Sequence, residues 1–234
     1  MMDGMARAPY TPDTQSSLDQ LRSGKLGRRL PQLVFGLMLY GWSMALMIEA
    51  GLGLDPWDVF HEGLTKYLPL TFGQVTILVG AAVLLLWIPL RQWPGLGTIL
   101  NVILIGLAVD QGLWLLAQPD SLLLRVVMLV AGVVLNGLAG ALYIGAHLGP
   151  GPRDGLFLGL VRRTGYSVRL MRTSVEITVL AIGWLLGGTV GVGTVLYALT
   201  IGPLVQAFLP LVQVRMPEPE PAASPSEVRP ASPG

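Results

Sequence analysis

The pattern A-x-L-G-x-x-P-x-D occurs twice in this chain, as AGLGLDPWD from Ala50 and as AHLGPGPRD from Ala146, ninety-six residues apart. Each copy closes a long apolar run. Between 50–64 and 146–160, seven of fifteen residues are identical at that offset: Ala50/Ala146, Leu52/Leu148, Gly53/Gly149, Pro56/Pro152, Asp58/Asp154, Gly63/Gly159 and Leu64/Leu160. The same ungapped shift aligns GLGTIL at Gly95 with GVGTVL at Gly191, and sets Gly36, Gly41 and Gly106 on Gly132, Gly137 and Gly202. Chance similarity between apolar stretches matches leucine with leucine. It does not hold glycine, proline, threonine and aspartate in register over so long a stretch, so the chain reads as a duplication.

The apolar runs read as membrane spans. The 234 residues are 52% hydrophobic and 12% charged, with a mean hydropathy of +0.62, where soluble domains carry about 25% charge. No charged residue lies between Val126 and Pro152, or between Ile177 and Val214. Six spans are expected, at 31–50, 73–90, 97–117, 124–147, 171–188 and 192–213, each near the ~20 residues that cross a ~30 Å hydrocarbon core. The second and fifth are short and start in the preceding loop or thin the bilayer. Six such runs leave too little polar surface for a soluble fold. About thirty polar residues precede the first run, and no secretory signal is expected.

Three spans fall in each copy, and three is odd. The second copy therefore enters the membrane from the opposite side. The expected fold is an all-α membrane protein of six transmembrane helices in two inverted three-helix repeats, 31–117 and 118–213, related by an axis in the membrane plane. Charge points the same way. Arg7, Arg22, Lys25, Arg28 and Arg29 precede the first span, and Arg153, Arg162, Arg163, Arg169 and Arg172 follow the fourth. Arg91, Arg215 and Arg229 join them on one side if the chain crosses six times, leaving Lys66 and Arg125 on the other. The positive-inside rule then sets both termini in the cytoplasm of a plasma-membrane protein. Residues 1–30 read as a basic cytoplasmic segment, with a weak amphipathic signal in SSLDQLRSGKLGRRL. The Pro-, Ser- and Ala-rich 214–234 reads as a disordered tail.

Within each phrase, Gly53 and Gly149 release the first helix, and Pro56 and Pro152 suit the first turn of a new one. Asp58 and Asp154 follow two residues on, where they complement the helix dipole. The new helices, 56–67 and 152–164, are too short to span. Two readings stand: an interfacial elbow, or half-helices dipping in from opposite faces to bring their N-termini to a solute. The aspartates weigh against a naked anion there and favour a cation, a proton or a donor-rich ligand. The second shared phrase, G-x-G-T, places Gly97, Thr98, Gly193 and Thr194 at the start of spans three and six. The threonines read as N-caps and the glycines as close helix contacts.

Polar groups inside apolar helices are functional candidates by default. Asp110 lies deep in span three, and its repeat counterpart is Gln206. With Asp58, Asp154, Asn101 and Asn136 they form the candidate solute- or ion-binding set, each with a structural alternative as interhelical hydrogen-bond partner. Arg172 and Glu176, one turn apart, read as an interfacial ion pair. His61 follows Asp58 by three and is a further titratable neighbour. The chain has no cysteine, hence no disulfide, thiolate metal site or cysteine nucleophile. Two histidines make no multi-histidine metal site, and the net charge of +1 exerts no pull toward nucleic acid. No metal or cofactor is expected, and no Ser/Lys, Asp/Asp or His/Glu constellation stands at catalytic spacing, so the chain is not expected to be an enzyme.

The segments LGLDPWDVFHEGL, GLGTILNVILIGLAVD, LGPGPRDGLFLGL, RTSVE and GGTVGVGTVLYALTIGPLVQ resemble the YczE-type bacterial integral membrane proteins, within the broader YczE/YyaS/YitT group. The resemblance covers about residues 30–213. It implies the fold class and a membrane location, and carries no substrate. By analogy of architecture, a small-solute or ion transporter or permease is expected. The alternatives are a substrate-binding subunit of a larger transporter and a non-transporting accessory protein that docks partners through its basic loop. The expected partners are the lipid bilayer and an unknown small solute or ion, with a second copy or another membrane protein left open.

Overall fold

The computed structural model describes residues 24–214. Eight helices occupy them: α1 (Leu26–Ala50), α2 (Pro56–Thr65), α3 (Phe72–Trp87), α4 (Leu96–Leu115), α5 (Leu122–Gly145), α6 (Pro152–Thr164), α7 (Val168–Leu185) and α8 (Val192–Val212). Four of them, α1, α4, α5 and α8, are long and apolar enough to cross a membrane; α3 is a shorter apolar helix. The exterior carries Trp93, Trp114, Leu85, Leu199 and Leu211, all strongly exposed. An apolar outer surface over a packed interior is the arrangement that a lipid bilayer solvates.

Local chemistry sets the helix starts. Pro56 and Pro152 open α2 and α6 at the first turn. Thr71 caps α3, its hydroxyl accepting from the Gln74 N–H while the Gln74 side chain accepts from the Thr71 N–H. Ninety-six residues on, Ser167 caps α7 in the same way through the Leu170 N–H. Gly53 and Gly149 have φ of 113° and 116°, a region that L side chains rarely enter. Gly53 also lies against the Gly191 backbone, 2.6 Å from where a Cβ would sit.

The centre is the pair α1 and α5. Arg29, fully buried near the start of α1, donates to the Ala146 carbonyl just past the end of α5 at 2.8 Å and to His147 O at 2.5 Å. Arg125, near the start of α5, donates to Ala50 O at 2.7 Å and Gly51 O at 2.8 Å at the end of α1. Each start thus meets the other's end, so the two helices run antiparallel. Leu33, Leu37 and Met44 of α1 pack with Leu129 and Val133 of α5 and with Val109 of α4. The α4 N-terminus docks on the loop before α6, with Gly97 N–H donating to Leu148 O at 2.7 Å. At the counterpart, Gly193 N–H of α8 donates to Leu52 O at 2.8 Å. The G-x-G-T phrases are therefore clasps onto the loop of the other copy. Thr98 and Thr194 are not N-caps: they stand third in their helices, their hydroxyls accepting from Gly95 and Gly191 N–H at 3.1 and 3.2 Å.

Helix bounds fall within a few residues of the expected spans, except that α1 begins at Leu26 rather than 31. Residues 26–30 form the first turns of α1, where Arg29 has carbonyl partners across the bundle. The rest of 1–30 and nearly all of the expected tail lie outside the described residues.

Candidate functional site

The loop and helix that follow α1 point their polar residues inward. Asp55 caps α2, its Oδ1 accepting from Trp57 N–H at 2.8 Å and Asp58 N–H at 3.1 Å. Asp55, Asp58 and His61 are 1%, 0% and 1% exposed. The His61 Nδ1 lies 3.2 Å from Asp58 Oδ1 and 3.4 Å from the Thr76 hydroxyl. From the facing copy, α6 sends in Arg153, 3.7 Å from Asp55 Oδ1, 3.8 Å from Asp58 Oδ1 and 5.0 Å above the Trp57 ring. Asp154 accepts from the Tyr143 hydroxyl. The N-termini of the two short helices thus meet across a cavity of about 110 Å³.

Tyr40, Asn101 and Tyr197 complete its polar wall, and Val79, Val83, Val102, Ile105 and Phe157 its apolar wall. Arg172 and Glu176 of α7 also line it, joined at 2.9 Å and partly exposed. Behind the wall, Asn136 accepts from the Tyr197 hydroxyl at 3.1 Å and donates to Ser43 Oγ at 2.9 Å. The Asp55 and Asp58 Oδ2 atoms and His61 Nε2 are buried and make no hydrogen bond.

Burial pushes the Asp55 carboxyl up to about 7, with Asp58 adding to the rise and Arg153 opposing it. The Asp58 carboxyl is raised as well, again by burial first and against Arg153. Burial lowers His61 to about 3, which keeps the ring neutral. With Asp58 and Thr76 beside Nδ1, the proton belongs on Nδ1, and Nε2 offers a lone pair. Asp55 Oδ2 and His61 Nε2 can each accept a hydrogen bond. Both of its arginines already have carboxylate partners.

Of the six sequence candidates, Asn101 and Asp154 line the cavity. Asp58 and Asn136 stand one bond behind it, and Asp110 and Gln206 lie elsewhere. Asp110 takes hydrogen bonds from the Thr71 hydroxyl and the Gly73 N–H and so ties α4 to the start of α3. Gln206 is exposed. Arg172 and Glu176 do pair, and they do so at the cavity. The cavity residues that sequence reasoning did not single out include Asp55, Trp57, Tyr40 and Tyr197, all at positions where the two copies differ: they stand against Gly151, Arg153, Asn136 and Asn101. An Asp directly before a helix-opening Pro is an N-cap signal that would have found Asp55.

The packing around the cavity is unequal. Helix α3 packs along α4, while α7 packs on α2 and α6 and makes no comparable contact with α8. Gly106 of α4 shows this closely: a Cβ there would come within 2.5 Å of Ile77 and 2.6 Å of Gly73 O. Its counterpart on α8, Gly202, has nothing within 4 Å.

Residues 27–210 match a family of unknown function, DUF6198. The chain is 42% identical over 185 residues to an uncharacterized protein of Haemophilus influenzae, a match covering 79% of this chain and 84% of that one. It is 36% identical over 177 residues to the uncharacterized membrane protein YczE of Bacillus subtilis (75% and 82% covered), and 29% identical over 184 residues to YyaS of the same organism (76% and 90%). No solved structure matches. The chain is a bacterial-type membrane protein that belongs to the DUF6198 family, in the YczE-type group.

Proposed function

We propose that this protein is a small-solute transporter of the plasma membrane, built from two inverted three-helix repeats around the cavity between α2 and α6. In this reading α1, α3, α4, α5, α7 and α8 are the six spans, α2 and α6 are half-helices whose N-termini meet at the substrate, and both termini are cytoplasmic. The reciprocal Arg29 and Arg125 contacts and the paired Gly97 and Gly193 clasps support the inverted relation, since each is repeated at an offset of ninety-six with the copies exchanged.

The observation that carries the transport reading is the unequal packing of equivalent helices. Closed contact at α3 and α4, with room beside Gly202 between α7 and α8, is what one of two exchangeable states looks like. Interchanging the two arrangements would move the opening of the cavity from one membrane face to the other. Asp110 then serves as a latch, holding the start of α3 on α4 through Thr71 and Gly73.

The absence of native cysteine makes labelling clean. Single cysteines placed at Lys66 and at Arg163 are to be probed with an impermeant maleimide in right-side-out and inverted vesicles. Labelling from opposite faces is expected. Labelling of both from one face would defeat the six-span arrangement and the transport cycle built on it.

A further inference from the structure

We propose that the ligand of this cavity is a small primary ammonium ion with a short apolar body, its N–H groups held by Asp55 Oδ2 and His61 Nε2. The proposal rests on the cavity being a substrate site and names the chemical class that it takes.

Four features of the site select that class. First, the cavity wall holds unspent acceptors, beside one unspent donor, the Trp57 Nε1–H. Asp55 and His61 line the cavity, are 1% exposed, and each holds one polar atom without a partner; Asp58 Oδ2 directly behind is in the same condition. A buried acceptor left unmatched costs free energy that a donor-bearing ligand would recover. With the proton on Nδ1 beside Asp58, the unpartnered His61 Nε2 is an acceptor.

Second, the cations present are already engaged. Arg153 lies against Asp55 and Asp58 and over the Trp57 ring, and Arg172 is bound to Glu176. Asp55, Asp154 and Glu176 line the cavity with those two arginines, and Asp58 backs them. By formal charge the acidic groups outnumber the two arginines, each of which lies against a carboxylate.

Third, part of the wall is apolar. Val79, Val102 and Ile105 line the same cavity as Asp55 and His61, so a ligand with an ammonium head and a short hydrocarbon body meets both kinds of surface. The rings of Tyr40 and Tyr197 flank the polar side and suit a cation.

Fourth, size sets a limit. A cavity of about 150 Å³ admits benzene, and this one measures about 110 Å³. A solute of about five heavy atoms is therefore the appropriate scale.

The two copies also show why this end is special. At the positions of Asp55 and His61 the second copy carries Gly151 and Phe157, which offer no side-chain acceptor.

Isothermal titration of the full-length purified protein tests this with n-butylammonium, tetramethylammonium and butyrate as probes, at pH 8. Binding of n-butylammonium is expected, with tetramethylammonium at least tenfold weaker because it has no N–H to donate, and with no heat from butyrate. Asp55→Asn keeps an N-cap oxygen and so keeps α2, yet should weaken n-butylammonium at least tenfold. His61→Phe borrows the side chain of the second copy and should weaken it severalfold. Butyrate binding in preference to n-butylammonium, equal binding of tetramethylammonium, unchanged affinity in Asp55→Asn, or no binding of any probe would each overturn the assignment. The labelling at Lys66 and Arg163 scores the six-span transporter separately, so the ligand class can fail while that arrangement stands.

Discussion

Arg29 and Arg125 lie ninety-six residues apart, and each holds the carbonyls at the end of the helix to which the other belongs. Helix ends leave orphan carbonyls that must find donors when buried. A guanidinium meets two at once, and its charge complements the negative end of the dipole. Arg29 is fully buried, whereas Arg125 keeps some exposure. Arg29→Ala is therefore expected to cost about 3 kcal/mol and Arg125→Ala about 1–2 kcal/mol, from charged hydrogen bonds worth about 1.5–3 kcal/mol each. The helix-end carbonyls that they hold are different, so the double variant should lose about the sum. Thermal unfolding in detergent measures all three.

Gly106 and Gly202 are equivalent in sequence and opposite in surroundings. Gly106→Ala drives a methyl group into Ile77 and the Gly73 carbonyl, an overpacking that costs about 1–3 kcal/mol. Gly202→Ala enters open space and should change stability by no more than about 0.5 kcal/mol. Melting temperatures should separate the two, and equal losses would mean that α7 packs on α8 as α3 does on α4.

Asp110 joins α4 to the first turn of α3, so its removal acts on packing rather than on the cavity. Asp110→Ala should cost about 1–3 kcal/mol by leaving the Thr71 hydroxyl and Gly73 N–H without an acceptor. Asp110→Asn keeps one acceptor oxygen and should cost less than half as much. n-Butylammonium binding should be unchanged in both, because Asp110 is not part of the cavity wall.

The sequence showed the duplication, the helices and their order because these depend on patterns that repeat: apolar length, Pro at a helix start, Gly where φ is positive. It pointed at Asp58 and Asp154 for the same reason. Asp55, Trp57, Tyr40 and Tyr197 line the cavity at positions where the copies disagree, and a search for agreement passes over them. Asp110 was legible as a carboxylate within an apolar helix but not as a partner of Thr71 and Gly73. That contact joins residues thirty-nine and thirty-seven apart along the chain and depends on how α3 seats on α4. The G-x-G-T threonines looked like caps because Thr commonly caps; their third position follows from the glycines before them entering the loop of the other copy.

Asp55 gives the site a pH signature. Its folded-state value of about 7 lies above the usual 3.8, so the folded protein holds a proton that the unfolded chain has released between those limits. Its contribution is therefore fully present below about 4 and is lost as pH rises to about 7, by up to ~1.4 kcal/mol per unit. His61, lowered to about 3, acts in the opposite sense, because the unfolded chain takes up a proton as pH falls below 6.5. The groups facing Asp55 are Asp58 and His61 on α2, Arg153 and Asp154 on α6, Tyr40 on α1, Tyr143 on α5, Arg172 and Glu176 on α7, and Tyr197 on α8. The difference between wild type and Asp55→Asn isolates the one carboxyl from them. Its stability advantage should shrink between about pH 4 and pH 7 and hold level above. For the same reason n-butylammonium affinity in the wild type should rise by up to about tenfold per pH unit below about 7.

The most direct measurement is of two distances in one protein. Leu78 and Ile103 lie on α3 and α4, and Ser174 and Leu199 occupy the equivalent positions on α7 and α8; all four are exposed. Spin labels on cysteines at each pair, in liposomes, report the separation of the two helix pairs. Exchange between states requires two populations at each pair. Solute that shortens the Ser174–Leu199 distance should lengthen the Leu78–Ile103 distance. A single, fixed distance at both pairs, with and without n-butylammonium and across pH 5–8, would contradict alternating access and leave the unequal packing as a permanent feature of the fold.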